Sequence, residues 1–388
     1  MKKIKVAFFA EILTEDFDGA SRTMFQLINR IRTDQFEFLF ICGSGPSEIS
    51  GFECFLVPSI TLPINQRYTM ALPHLADTQL KRKLSAFSPD VIHIATPSIL
   101  GNYALEYARE RNIPVLTIYH THFISYVDYY LSKARFLIDF AKTKIAASQK
   151  AFYNQCDIIY VPSESIAMQM QTMGIEMSRI KIWKRGIDTM LFSPEKRNRD
   201  SIRLLTGNDN PNILFASRLV WEKNLEVLIR IYNACQIQQL PYNFIIAGDG
   251  TAKSDCQKQM KNAVFTGNLD HLTLSELYAS SDLFLFTSIS ETYGNVVLEA
   301  MASGLPCIIA NGGGSGDVVT QGVNGFKCQP QQEDDYISKI KILLHNHELR
   351  EQFSAEGRTH SLNLDWNKLA DVYFEELQNL TGVFQINE

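Results

Sequence analysis

Two doubly wound α/β units in tandem are the fold class that this chain predicts, and three observations carry the reading. The chain has 388 residues, more than one ordinary hydrophobic core organises. Short apolar runs alternate with helical patterns in both halves, as in parallel sheets covered by helices. Those runs are nearly continuous in apolar residues, which strands buried on both faces require.

The elements follow in order. In the first half KIKVAFFA opens as a strand, and a helix follows from about Ala20 to Arg32. FEFLFIC and PDVIHIA are the next strands; a helix near Asn102 to Arg111 leads to the strand PVLTIYH. In the second half NILFAS, YNFIIAGDG, AVFTG, SDLFLFTS and LPCIIAN read as strands. Helices lie between them: Asn224 to about Gln236, one after Thr273, and one from Asn295 to Ser303. Val296, Val297, Ala300 and Met301 give the last its helical spacing, and Gly304 with Pro306 stops it. The boundary is expected near Arg185 to Pro194, where KRGIDTMLFSP passes from a strand through Gly186 to a proline. From Trp366 through DVYFEELQNL the pattern is a terminal helix. The expected units are therefore residues 1–185 and 186–365, with 366–388 as the closing helix. Ligands of such sheets bind beyond the strand carboxyl ends, so a cleft between the units is the expected active site.

Composition excludes several classes. With 45% apolar and 20% charged residues the chain reads as a soluble globular enzyme. No apolar run approaches the roughly eighteen residues of a membrane span. Lys5 and Glu11 confine the first apolar stretch to a strand, which is too short for a signal peptide. Seven cysteines without a C-x-x-C pair indicate neither a disulfide framework nor zinc, and point to a reducing, cytoplasmic compartment. The net charge of −5 divides into +3 for residues 1–190 (21 basic, 18 acidic) and −8 for the rest (16 and 24). The first half is the one to meet an anionic surface, and with no long basic stripe nucleic acid is not an expected partner.

The chemistry concentrates in SETYGNVVLEAMASGLP. Glu291 and Glu299 flank seven residues, one acid at a strand end and the other inside the helix that follows. Helical side chains lean toward the N-terminus, so Glu299 is expected to point back at the loop of Glu291, the two acids lining one polyol pocket. Between them the backbone N–H groups of Tyr293, Gly294 and Asn295 open a helix and suit a phosphate. In ASRLVWEKNLEVLI, Arg218 at a strand end and Lys223 before a helix can hold a diphosphate, one as a fork and one as a point charge.

These stretches resemble the signature of the retaining glycosyltransferases of family 4, and the resemblance extends over nearly the whole chain. It implies a GT-B fold, two Rossmann-like domains facing across a cleft: an acceptor domain, a nucleotide-sugar domain, and a last helix crossing back to the first. The implied reaction is retaining transfer of a hexosyl group from a UDP- or GDP-sugar, with no cofactor and no essential metal. In relatives the first acid binds donor-sugar hydroxyls and the second the ribose, while the Arg218 and Lys223 equivalents grip the phosphates. His120, in YHTHF, matches a histidine placed near the anomeric carbon. Gly19, in DFDGASRTMFQL, matches a loop glycine that admits a phosphate or sugar, with Arg22 as a possible helper. Asp249, in the turn GDG, resembles a turn beneath the nucleotide. The expected catalytic set is thus His120, Arg218, Lys223 and Glu291, and the donor-binding set is Gly19, Asp249, Tyr293, Gly294, Asn295 and Glu299.

Other motifs resolve to ordinary roles. His120 and His122 share a strand face but lack a third ligand, and Asp16 and Asp18 read as helix-capping acids rather than a metal motif. NGGGSGDVV fails the dinucleotide fingerprint, whose third glycine falls on Asp317, and relatives usually carry proline and glutamate in that loop. The helix within Leu131 to Phe152 has a core face of Ala134, Leu137, Ile138, Ala141, Ile145 and Phe152. Opposite lie Phe136 and Phe140 beside Lys133 and Lys144, either a second packing face or a bilayer contact. The short basic run Lys81, Arg82 and Lys83 has the same two readings. YHTHF with Tyr126, Tyr129 and Tyr130 is similar to members that glycosylate membrane lipids, which implies a glycolipid or cell-envelope glycan acceptor and an enzyme at the inner face of the membrane. The alternatives within reach of this fold are a sugar-nucleotide epimerase, a phosphorylase, and a non-catalytic nucleotide-sugar-binding module.

Overall fold

The computed structural model of the chain describes residues 2–15, 17, 19–62, 65–119 and 138–382. Two compact units emerge: residues 1–184 together with 367–388, and residues 185–366. Each is an α/β unit built on a largely or wholly parallel sheet.

The sheet of the first unit contains β1 (Ile4–Ile12), β2 (Phe36–Ser44), β3 (Glu48–Ile49) and β4 (Phe52–Leu56). A separate antiparallel hairpin, β5 (Ser59–Leu62) and β6 (Asn65–Ala71), comes next in the chain. The sheet continues with β7 (Val91–Ile94), β8 (Val115–Ile118), β9 (Ile158–Val161) and β10 (Ile180–Ile182). The sheet order is β10-β9-β8-β7-β1-β2-β4-β3, parallel except for the β3–β4 pair. The central strands β7, β8 and β9 are buried at every residue, which is why they contain so few polar side chains. The helix Trp366–Leu380 belongs to this unit and buries Tyr373, Phe374 and Leu377. Its Tyr373 hydroxyl lies 2.7 Å from Nδ1 of His93, a fully buried histidine stacked on Phe8 with ring centroids 4.1 Å apart. Burial holds that imidazole down to about 3, so it is neutral at physiological pH.

The sheet of the second unit contains β11 (Asn212–Ala216), β12 (Asn243–Ala247), β13 (Val264–Gly267), β14 (Leu283–Phe286), β15 (Cys307–Ala310) and β16 (Gly325–Cys328). All are parallel in the order β13-β12-β11-β14-β15-β16. The winding reverses between β11 and β14, and the crevice beyond their carboxyl ends is where such a sheet takes its ligand. The helices Leu225–Ile237, His271–Ser280, Asn295–Ala302 and Glu333–His345 pack apolar faces on this sheet. Arg185 to Ile187 run beside the other end of the unit: Ile187 N–H donates to the Leu364 carbonyl at 3.1 Å, and a Cβ on Gly186 would lie 2.5 Å from the Trp366 ring.

Element positions match the expectations within a few residues, the first helix running Gly19–Ile28 and the helix after PDVIHIA starting earlier, at Ile99. All seven cysteines are free and buried. No helix among the described residues is long and apolar enough to cross a membrane. His120, His122, Tyr126, Tyr129, Tyr130, Asp16, Asp18 and the residues 131–137 lie outside the described residues. Beyond them the helix Ile138–Tyr153 ends with Phe152 in the core and Lys144 exposed. Of the basic run, Lys81 pairs with Asp77 and Lys83 with Glu53, which makes both part of a solvated face.

Candidate active site

At the switch point of the second unit, two loops meet. After β11 the chain passes Arg218 and turns through a 3-10 helix, Trp221–Lys223. Asn224 then adopts a left-handed conformation (φ 56°), and its side chain donates to the carbonyls of Thr287 (3.2 Å) and Pro330 (3.0 Å). That anchor fixes the preceding turn against the end of β14. Lys223 is thereby buried to 5% exposure, its carbonyl accepting from Thr287 Oγ1 at 3.1 Å. Its Nζ donates to Glu291 Oε1 at 2.6 Å. Ser288 Oγ reaches the same carboxylate oxygen at 3.4 Å, and Ser290 Oγ donates to the Glu222 carbonyl at 3.1 Å. Glu222 in turn accepts from Arg218 Nη2 at 3.0 Å, with the arginine side chain 60% exposed. Arg218, Glu222, Lys223, Ser288, Ser290 and Glu291 thus form one stitched patch of alternating charge.

The second acid is held differently. Glu299 sits in the second turn of Asn295–Ala302, only 9% exposed, and accepts from the Tyr278 hydroxyl at 3.1 Å. Burial, with the charge of Glu299 added, pushes that phenol well above its ordinary range, so Tyr278 stays a donor. A charge-assisted bond of this kind is worth roughly 1.5–3 kcal/mol. It fixes the carboxylate's orientation from the side of the helix His271–Ser280.

Glycines shape the loop of Glu291 and the start of the helix that carries Glu299. Gly294 precedes the helix at φ 84° and, being glycine, brings no side chain of its own to cap it. A Cβ on Gly294 would lie 2.7 Å from the Ser315 Cβ. Gly314 N–H donates to the Glu291 carbonyl at 2.7 Å, and a Cβ there would fall 1.9 Å from the Thr292 carbonyl. The glycine run that fails as a dinucleotide motif therefore serves to bring one backbone against the loop of Glu291. Tyr293, 5% exposed, packs beside the buried Arg185; its phenol is pushed up to about 12 by burial, and burial holds the Arg185 guanidinium down to about 10.

Asp249 occupies a neighbouring turn. Its carbonyl accepts from Leu219 N–H at 2.8 Å, and Gly248 (φ 132°) allows close approach to the Ser217 carbonyl. The side chain bonds Lys253 at 2.7 Å and its own loop's Gly250 N–H at 2.7 Å, and these hold the carboxyl below its usual range. Asp249 thus braces the loop of Arg218 through its backbone while its side chain is engaged elsewhere. Gly19 begins a helix in the first unit and is exposed, with nothing within 4 Å of a Cβ placed on it. Sequence reading missed Glu222, Tyr278, Ser288, Ser290 and Arg185. Glu222, four residues from Arg218, and Ser288 and Ser290, beside Glu291 in the same loop, were readable from spacing; Tyr278 and Arg185 meet the site only through tertiary packing.

Residues 17–191 match the model described as Glycosyltransferase Family 4, and residues 196–360 the one described as Glycosyl transferases group 1. Each match accounts for one half of the chain, which makes this protein a glycosyltransferase with a Family 4 first half and a group 1 second half. This glycosyltransferase is 31% identical to a sulfoquinovosyl transferase of Arabidopsis thaliana over 83% of its length, a match spanning 62% of the plant protein and so less than two thirds of it. It is 28% identical to a GDP-mannose-dependent alpha-mannosyltransferase of Mycobacterium tuberculosis over 98% of its length and 97% of that protein. The solved structure of Anabaena HepE, in complex with UDP and glucose, matches with a TM-score of 0.71 and 18% identity, covering 97% of this chain and 99% of that one. At that identity the likeness shows the fold, which is GT-B.

Proposed function

We propose that this glycosyltransferase moves a hexosyl group from UDP- or GDP-hexose to an acceptor hydroxyl with retention at the anomeric carbon. The observation that carries the reading is the Lys223–Glu291 pair, with side chains 7% and 23% exposed, in the loop that leads through Gly294 into a helix at the sheet's switch point. In the proposed roles Glu299 holds the ribose and Glu291 the hexose hydroxyls. Arg218, Lys223 and the N–H groups of Gly294 and Asn295 stabilise the charge growing on the departing diphosphate. Lys223 is then shared between Glu291 and a phosphate oxygen, and the arginine fork exchanges Glu222 for phosphate. Tyr293 holds the helix start in place, and Asp249 supports the Arg218 loop; Gly19 and His120 keep the donor-binding and catalytic roles that the family resemblance implies for them. The acceptor hydroxyl attacks on the leaving-group face and passes its proton to the departing phosphate, so positioning supplies most of the rate.

For the donor, the mycobacterial relative's name includes GDP-mannose and the Anabaena structure holds UDP and glucose, so both bases are carried forward. For the acceptor we propose a glycolipid, with a cell-envelope glycan precursor as the second choice. The support is the similarity of the first half to lipid-glycosylating members and its positive charge balance, which suits an anionic cytoplasmic membrane face. The test is to present UDP- and GDP-hexoses with diacylglycerol-type and saccharide acceptors and read the anomeric configuration of the glycoside product by proton NMR. Transfer with retained configuration is the expected result. Inverted product would reject the retaining mechanism, and release of free nucleotide without acceptor would favour an epimerase.

A further inference from the structure

Two of the seven cysteines stand against each other. Cys42 lies near the carboxyl end of β2 and Cys54 on β4 beside it, their sulfurs 3.4 Å apart in a buried thiol–thiol hydrogen bond. The thiols of Cys156 and Cys307 instead donate to backbone carbonyls. The register pairs Phe40 with Cys54 and Cys42 with Leu56, so the two sulfurs meet on a diagonal of the sheet. Both are shielded, at 0% and 5% exposure, yet β4 lies close to the sheet edge. Its far neighbour is the two-residue β3, and Glu53 and Leu56 on β4 are exposed. A strand so thinly covered opens more readily than a central one, which gives a small neutral oxidant its way in.

The contact also sets the two thiols apart. The hydrogen bond from Cys42 holds the Cys54 thiol below its ordinary range, whereas the same bond, with burial added, pushes Cys42 far above its own. Cys54 is therefore the one to ionise and Cys42 the neighbour that keeps its proton, as in an attacking and a resolving cysteine. We propose that Cys42 and Cys54 are a modification site, a pair that closes into a reversible disulfide when the folded chain meets a peroxide. The Cys54 thiolate attacks one peroxide oxygen, the O–O bond breaks, and the departing hydroxide takes up the thiol's proton to become water. Cys54 is then a sulfenic acid, and the bond that raised Cys42 is gone. The Cys42 sulfur attacks the Cys54 sulfur and gives up its proton, and the sulfenic hydroxyl leaves as a second water. Two thiols have lost two electrons and two protons, and one peroxide has become two waters.

Closing 3.4 Å to a bond of about 2 Å across a diagonal requires β4 to shift on β2, and a disulfide made under strain is one that thiols readily reopen. Cys42 is also keyed to the turn after β1. A Cβ on Gly45 would fall 2.9 Å from Cys42 Sγ and 2.8 Å from the Leu13 carbonyl oxygen, and Leu13 N–H donates to the Ser44 carbonyl at 2.8 Å. Movement of the sulfur therefore reaches the segment that leads from β1 to the helix begun by Gly19.

The experiment treats the intact, folded chain with hydrogen peroxide, alkylates after denaturation and digests after glutamate, since Glu48 and Glu53 lie between the two cysteines. A cross-linked peptide pair holding Cys42 and Cys54 is expected, two hydrogens lighter than the reduced pair and released by dithiothreitol. It should form at least about tenfold faster than the other five thiols are lost. In Cys42→Ser a sulfenic acid on Cys54, trapped by dimedone, should replace it; in Cys54→Ser, Cys42 should stay reduced. If either variant fails to fold, the wild type decides alone, its other five thiols serving as the control. Cys42 and Cys54 still free after peroxide, or lost no faster than Cys156 and Cys307, overturns the proposal. Hydrogen exchange of the oxidised chain should change at residues 11–15 and 43–57 and stay the same in the second unit. A disulfide without that change overturns the coupling to the turn after β1. None of these readouts requires sugar transfer, so the thiol pair stands or falls apart from the transferase reading.

Discussion

Lys223 is the residue on which most depends. It is buried to 5% exposure and faces a carboxylate that is itself largely shielded, so removing either charge strands the other. Lys223→Met is expected to lower stability by about 2 kcal/mol, and Lys223→Met with Glu291→Leu to recover more than half of the loss, as read by a double-mutant cycle on thermal unfolding. Catalysis should show no such recovery. Lys223→Ala and Glu291→Gln should each lower kcat/KM at least a hundredfold, about 2.7 kcal/mol of transition-state stabilisation; near-normal turnover in either would reject the assigned roles. The difference between the two readouts separates a charge pair that holds the loop from one that handles the substrate. Both residues were legible in the sequence, because a lysine just before a helix and an acid just after a buried strand are positions fixed by local pattern. The Tyr278 bond to Glu299 was not, since it joins two helices whose packing no local spacing encodes.

Among the elements, the helix Asn295–Ala302 and the helix Trp366–Leu380 make opposite demands. The first depends on the space left by glycine. Gly294→Ala places an L side chain at φ 84°, about 1–2 kcal/mol unfavourable, and drives it into Ser315. A lower melting temperature and weaker nucleotide-sugar binding are expected, and adding Ser315→Gly should relieve the clash but not the backbone strain. The second helix depends on a neutral histidine. His93 titrates near 3 when folded and near 6.5 when unfolded, so the unfolded chain takes up the proton first as pH falls. Its contribution is complete above about 6.5 and is lost as pH drops from there toward 3, roughly 2 kcal/mol of it by pH 5. Melting at pH 7.5 and pH 5 should show that loss in the wild type, and His93→Gln should flatten it. The buried parallel strands could be read from sequence because five apolar residues in a row leave few alternatives. The hairpin of β5 and β6 could not, as SITLPINQRYTMA mixes polar and apolar residues without a steady period.

At the scale of the molecule, the order of strands mattered more than their number. Sequence alternation implied doubly wound sheets but not where each winding reverses, and that is what places Arg218, Lys223 and Glu291 together. A saturating nucleotide sugar at 100 times its dissociation constant should add about 2.7 kcal/mol to the stability of the unit that binds it. Hydrogen exchange should show the slowing within residues 217–224, 288–299 and 312–318; slowing confined to the first unit would contradict the donor assignment.

The buried thiols give a way to follow the two units apart. Cys42, Cys54 and Cys156 belong to one, and Cys235, Cys256, Cys307 and Cys328 to the other. An alkylating reagent can reach any of them only when the surrounding core opens, so peptide-resolved labelling rates measure two opening equilibria in a single sample. Without engineered probes, the native chain reports which half a ligand, a detergent or a mutation has steadied.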